Sequence, residues 1–312
     1  MKKNDAVLAV LLVIVWGFNF TVIKIGLGGV PSMLLVALRY VFTVFPAIFF
    51  VKKPDTEWKY IILYGLFVGV GQFACLFYAI EIGMPTGISS IVLQIQAFIS
   101  PVLAMLFLNE KMKAKQVAGI FVATAGLALI AWANTGSGVT SIPLAAIFLN
   151  ILAPFFWAAS NIVARIASDK SAAQGKKLNM FSMVVWSGLI PPIPMLIIAM
   201  LLNSPLELLN IVLNLSSTSI FAIIYLACGA TLFGYGVWNV LLGKYPMGKV
   251  APLPLMVPAV SLLSSMLVLK EQLSAMQWIG VAVIFAGVLI TNLNLNEIFK
   301  RTVKTPTEET SQ

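Results

Sequence analysis

Arg39 stands eight residues inside an apolar run that begins at Pro31, with Thr43 and Pro46 on the same helical face. A charge at that depth costs about 2.5–3.5 kcal/mol on insertion scales, so some interaction must hold it there. Two readings stand: a counter-charge for a solute carboxylate, or a structural donor that snorkels or bonds a carbonyl. Other apolar runs carry amides and aromatics at helical spacing. Trp16 and Asn19 are one turn apart. Asn150, Pro154, Trp157 and Asn161 fall at i, i+4, i+7 and i+11. Thr231, Tyr235, Trp238 and Asn239 share one side of a later run; Gln94 shares a smooth face with Gly87, Ser90, Ala97 and Pro101, and Gln72 one with Gly65 and Gly69. Polar groups within lipid usually face a bundle interior or cavity, and aromatic faces mixed with amides suit a small metabolite. Each amide taken alone is better explained by packing, because small residues and buried amides also join helix to helix.

The missing residue types exclude whole classes of chemistry. There is no histidine. The acids map to ends, loops or tails, so metal ligation and intramembrane hydrolysis lack their groups and no catalytic residue, metal or cofactor is expected. Proton coupling usually relies on a mid-depth carboxylate or histidine. Its absence predicts flux down the solute's own gradient, or coupling through an unusual group such as Glu81. Pro252, Pro254 and Pro258 crowd one run; each removes a helical N–H, which predicts a kink or partial unwinding there. Cys75 and Cys228 lie mid-run and read as small packing residues.

The elements that position these residues follow from composition. Hydrophobic residues make up 60% of the 312 and charged residues 10%, with mean hydropathy +0.98, where a soluble domain carries roughly a quarter charged. Ten apolar runs, from about Ala6–Ile25 to Ser274–Thr291, predict ten membrane-spanning helices. No cleavage site follows the first run, which therefore reads as a helix rather than a removed signal. The net charge of +9 is confined almost entirely to alternate connections, with only Lys24 and Lys270 on the other side. That asymmetry predicts cytoplasmic N- and C-termini by the positive-inside rule, and membrane lipids rather than nucleic acid as the surroundings of this basic chain.

A repeat runs through the chain. "LFLNEKMKAKQVAG" at 106–119 returns as "LVLKEQLSAMQWIG" at 267–280, and the same offset of 161 carries Tyr64 to Tyr225, Glu110 to Glu271 and Gly126 to Gly287. A weaker echo sets Trp16 against Trp157. Five helices per half is an odd number, so the halves must be inverted, and the lysines that follow Glu110 vanish after Glu271 because that loop faces the other way. The expected units are a first five-helix repeat over 1–141, a second, inverted one over 142–296, and a disordered cytoplasmic tail at 297–312.

Two five-helix repeats, each closing on a segment with spaced Pro, Glu, Gln and Gly, resemble the EamA branch of the drug/metabolite transporter superfamily. The strings "VWGFNFTVIK", "GMPTGISSIVLQIQAF" and "GYGVWNVLLGKY" with "VAPLPLMVP" are similar to an enterobacterial subgroup of that branch. The resemblance implies a bacterial inner-membrane exporter of O-acetylserine, cysteine or related amino-acid metabolites, working by alternating access through a cavity between the repeats. It also implies a multidrug exporter of the same superfamily as an alternative. Small multidrug pumps use a glutamate within the first helix, which this chain lacks. A channel-like pore is the alternative from a different class.

Overall fold

The computed structural model describes residues 2–112, 114–133, 142–245, 250 and 253–292. Pro252 and the tail at 297–312, both singled out above, lie outside these residues. The described residues form helices and no strands. Six helices are long and apolar enough to cross a membrane: α1 (Lys3–Leu27), α3 (Trp58–Glu81), α4 (Thr86–Leu108), α6 (Leu144–Ala173), α7 (Met180–Leu202) and α9 (Ser217–Lys244). Four apolar helices are shorter: α2 (Ser32–Ala47), α5 (Ala114–Ala133), α10 (Leu253–Val268) and α11 (Ala275–Asn292). One short helix, α8 (Pro205–Leu213), was not expected from hydropathy. Its start is written in Pro205 at the first position and Glu207 in the first turn.

Large apolar side chains point outward along the bundle, Phe49, Phe50 and Phe107 among them, as a lipid-facing surface requires. With hydrocarbon outside, burying apolar area does little to hold helices together, and close packing of small residues takes over. The pair α5 and α11 is the most intimate. A Cβ on Gly126 would lie 2.7 Å from the carbonyl oxygen of Gly280, and one on Gly280 would lie 2.8 Å from that of Gly126. Gly287 approaches the Gly119 carbonyl in the same manner. These four glycines therefore join two helices of one chain.

The other neighbours come in exchanged pairs. α1 lies along α10 as α6 lies along α4, and α3 lies along α6 as α9 lies along α1. Both α3 and α9 contain a π-helical stretch, Gly65–Gln72 and Tyr225–Phe233, at equivalent places under the offset of 161. Both α4 and α10 lose α-helical geometry at equivalent depth. α4 turns at 94–95, and α10 starts as a 3₁₀ turn at Leu253–Met256 before Pro258 enters the regular helix. The interruption in α4 has no proline to announce it.

Carboxylates finish the helix ends on one side of the bundle. Glu271 accepts hydrogen bonds from Thr86 N (2.9 Å), Thr86 Oγ1 (3.0 Å) and Gly87 N (3.3 Å), capping α4. Glu81 accepts from Ser32 N (3.1 Å) and Ser32 Oγ, capping α2, and Lys24 Nζ donates to the Ile80 carbonyl at the end of α3. At the opposite end the contacts are ion pairs, such as Lys244 Nζ with Asp5 (2.9 Å) and the exposed Arg165 with Glu110 (3.7 Å). Cys75 is buried as expected, but Cys228 is exposed, so the packing account holds only for the first.

Three outcomes follow. Glu271→Ala removes three acceptor contacts and should cost about 1–2 kcal/mol, the range of a lost helix cap, read as a lower melting temperature of the detergent-purified protein; an unchanged melting temperature would count against the cap. Gly126→Val or Gly280→Val should lower it at least as much by forcing α5 and α11 apart. Gly243→Ala, where an added Cβ meets nothing within 4 Å, should leave the melting temperature level or slightly raised.

Candidate functional site

A cavity of about 330 Å³ lies between the two halves, reached by α1, α2, α3 and α4 from one and α6, α7, α9 and α10 from the other. It runs from Arg39, halfway along α2, to Met180, the first residue of α7, and Leu242, near the end of α9. All ten cavity residues singled out from the sequence line it. α1 contributes Trp16 and Asn19, α2 Arg39, α3 Gln72 and α4 Gln94; α6 contributes Trp157 and Asn161, and α9 Tyr235, Trp238 and Asn239. Pro254 also lines it, and its carbonyl accepts from Gln94 Nε2 (3.4 Å). Pro258 begins the α-helical part of α10.

Arg39 is the electrostatic centre, only 3% exposed. Its Nε (3.2 Å) and Nη2 (3.0 Å) both donate to Thr231 Oγ1, and its guanidinium lies 4.2 Å from the centre of the Phe73 ring. Thr231 can accept twice because its own hydroxyl donates to the Leu226 carbonyl (2.8 Å), five residues back. That spacing belongs to the π-helical turn, which widens the helix and frees a carbonyl. Thr43 Oγ1 donates to the Arg39 carbonyl (2.8 Å) and tightens the same turn of α2. Arg39 Nη1, Asn19 Oδ1 and Gln72 Oε1 are buried and have no partner among the described residues. Among the described residues no carboxylate is within ion-pair distance of Arg39, and neither Asp nor Glu lines the cavity.

Aromatic rings form one wall. Trp16 meets Tyr235 edge-on at 5.6 Å and Trp238 at 5.7 Å, and its indole N–H donates to the Ala230 carbonyl (3.0 Å), another group freed by the π turn. Gly234 permits this approach, since a Cβ there would fall 2.2 Å from Trp16 Nε1. On the far wall Asn161 Nδ2 donates to Gln96 Oε1 (3.2 Å), while Asn239 Nδ2 turns back to the Tyr235 carbonyl (3.0 Å).

Other residues on the predicted faces belong elsewhere. Gly65 and Gly69 admit α7, where a Cβ would meet Ser187, Ile190 and Pro191. Gly87 admits α10 at Leu262 and Ser265, so the small residues of these faces serve packing. Asn150 is fully buried, with both side-chain polar atoms unpartnered among the described residues, but does not line the cavity. Glu81 is engaged in capping α2, far along α3 from Gln72. Phe73, Tyr64 and Gln96 line the cavity without having been singled out. Phe73 and Gln96 could have been found as sequence neighbours of Gln72 and of the turn at Gln94; Tyr64 has no such signal beyond its repeat partner Tyr225.

Comparison with known proteins agrees with this architecture. The model of the EamA-like transporter family matches residues 5–132 and again 144–293. A Salmonella typhimurium (strain LT2) protein named "Probable amino-acid metabolite efflux pump" is 40% identical over 93% of this chain and 95% of its own length. Its namesake from Escherichia coli (strain K12) is 40% identical over 95% of this chain and 97% of its own. A "Probable terminal-alkyne amino-acid exporter" from Streptantibioticus cattleyicolor is 25% identical over 94% of this chain and 95% of its own. One solved crystal structure superposes with a TM-score of 0.60 at 15% identity, covering 98% of this chain and all of that one, a likeness of fold alone. These relatives are named as pumps and exporters, not as enzymes. With the family model matched in both halves and close relatives spanning nearly its whole length, the chain is a multi-pass membrane protein that belongs to the EamA-like transporter family.

Proposed function

We propose that this protein exports small amino-acid-type metabolites, O-acetylserine, cysteine or related compounds, across a bacterial inner membrane by alternating access. The observation that carries the reading is the cavity: a buried guanidinium, several amides and an aromatic wall, contributed by both halves of the chain. Its size and lining suit a small polar solute with an apolar portion. The names of the 40% identical relatives support the same class of cargo.

The exchanged helix neighbours and matched π turns support ten spans arranged as two inverted repeats, 1–141 and 142–296, with the solute near the midplane between them. The cavity reaches the end where the basic residues gather, which the positive-inside rule assigns to the cytoplasm together with both termini. The opposite end is fastened by the Glu81 and Glu271 caps. Among the described residues no acid lines the cavity, and Glu81 is occupied by Ser32, which supports facilitated rather than proton-coupled export.

The test is efflux from proteoliposomes loaded with labelled O-acetylserine, cysteine or a cationic dye. Saturable, temperature-sensitive loss of the amino-acid compounds without an imposed pH gradient is the expected result. Export of the dye alone would assign a multidrug role. Flux that neither saturates nor slows on cooling would mark a pore. Flux that appears only under a pH gradient would overturn the uncoupled mechanism.

A further inference from the structure

Helix α8 is too short to be a span. Its nine residues rise about 14 Å, less than half the thickness of a hydrocarbon core. Its side chains nevertheless fall into three ordered stripes. Leu208 is 5% exposed and, with Ile211 and Leu215, packs on the main core of the bundle. Leu206, Leu209 and Leu213, at i, i+3 and i+7, are 72%, 54% and 70% exposed. Glu207, Asn210 and Asn214 repeat that spacing one residue on and are also exposed. At about 100° per residue, the polar stripe stands roughly a quarter turn from the leucines on one side and from the core contacts on the other. Val212, partly exposed, points directly away from the polar stripe. Protein on one side, water above, and hydrocarbon on the other side and below would satisfy every stripe at once.

The neighbours of α8 supply that hydrocarbon. α7 exposes Ile193, Ile197, Met200 and Leu201 along one side, and two residues, Asn203 and Ser204, separate its end from Pro205. α9 starts at Ser217, capped by Ser216, three residues after Asn214. α8 therefore hangs between the ends of two spans, at the level where acyl chains give way to water.

We propose that α8 lies in the plane of the membrane at the boundary away from the basic loops, with Leu206, Leu209 and Leu213 among lipid acyl chains and Glu207, Asn210 and Asn214 in water. The occupant of the exposed leucine face is lipid because that face continues the lipid-facing surface of α7. Segment 203–219 holds one acid and no Lys or Arg, so the attachment is apolar and needs no anionic headgroup. The inference rests on the chain being a membrane protein and is independent of what it carries.

The test places a fluorescent thiol label on each stripe of the full chain in phosphatidylcholine vesicles, which have no net charge. Cys228→Ala removes the exposed native thiol and leaves the buried Cys75. Into that background go Leu206→Cys, Leu209→Cys and Leu213→Cys, and separately Glu207→Cys, Asn210→Cys and Asn214→Cys. Lipid carrying a doxyl group high on its acyl chain should quench the label at the three leucine positions more than aqueous iodide does, and the order should reverse at the three polar ones. Labels at 206 and 213 should lie at a common depth, about 5–10 Å below the headgroups. A difference of about 10 Å between them, the rise of seven residues, would mean a helix dipping across the leaflet and overturns the in-plane reading. Iodide reaching the leucine stripe as well as the polar one overturns it too. Labels at the leucine positions shielded from both quenchers, with energy transfer between copies, would make the occupant a second copy of the chain. All six side chains are exposed and each is replaced separately, so one variant that fails to fold leaves both stripes readable through the others.

Discussion

A guanidinium held halfway through an apolar bundle demands bonds, and the centre of this protein is arranged to supply them to two of its three nitrogens. Arg39 reaches across from α2 to α9, where Thr231 accepts from two of its nitrogens, and it lies on Phe73 of α3. Three helices are thereby tied by a single side chain. The arrangement depends in turn on the π turn of α9. An ordinary α-helical threonine would return its proton to a carbonyl four residues back, whereas Thr231 donates to Leu226, five back. The widened turn also releases the Ala230 carbonyl to Trp16, so the charge and the aromatic wall share one local distortion.

Away from that centre the bundle is held by proximity. Lipid tails are as apolar as leucine, so helix pairs gain from backbone approach, and the glycines of α5 and α11 bring carbonyls within a distance no side chain would permit. Thr21 and Ser264 add a hydroxyl contact (2.7 Å) between α1 and α10. Where helices begin at membrane depth, their first N–H groups need acceptors, and carboxylates from distant segments supply them. The repeated glutamate first visible as a sequence motif is, in its second copy, a helix cap.

Much of this was legible beforehand. Long apolar runs and the confinement of lysines to alternate loops announce a membrane bundle, and helical spacing was enough to gather Trp16, Asn19, Trp157, Asn161, Tyr235, Trp238 and Asn239 on inward faces. Spacing could not separate a face that packs from one that lines a cavity. Gly65 and Gly69 share the stripe of Gln72, yet they admit a neighbouring helix, because which inward face meets a helix depends on crossing angles written nowhere in one segment. The π turns were equally silent, since Gly and Thr within a span have many uses. Phe73, an aromatic beside an amide, resembles ordinary core in the sequence. Helix α8 was hidden by its brevity, and the turn in α4 by the absence of proline.

The two copies of the repeated glutamate do not hold equally. Glu271 grips three groups of α4 and Glu81 grips Ser32, whereas the ion pair that Glu110 makes among the described residues is with an exposed arginine at 3.7 Å. The bonds to Glu271 and Glu81 are charge-assisted and partly buried, while the Glu110 pair lies where water already weakens it. The two ends of the bundle are therefore fastened unequally, and a disturbance that reaches both loosens the water-facing one first.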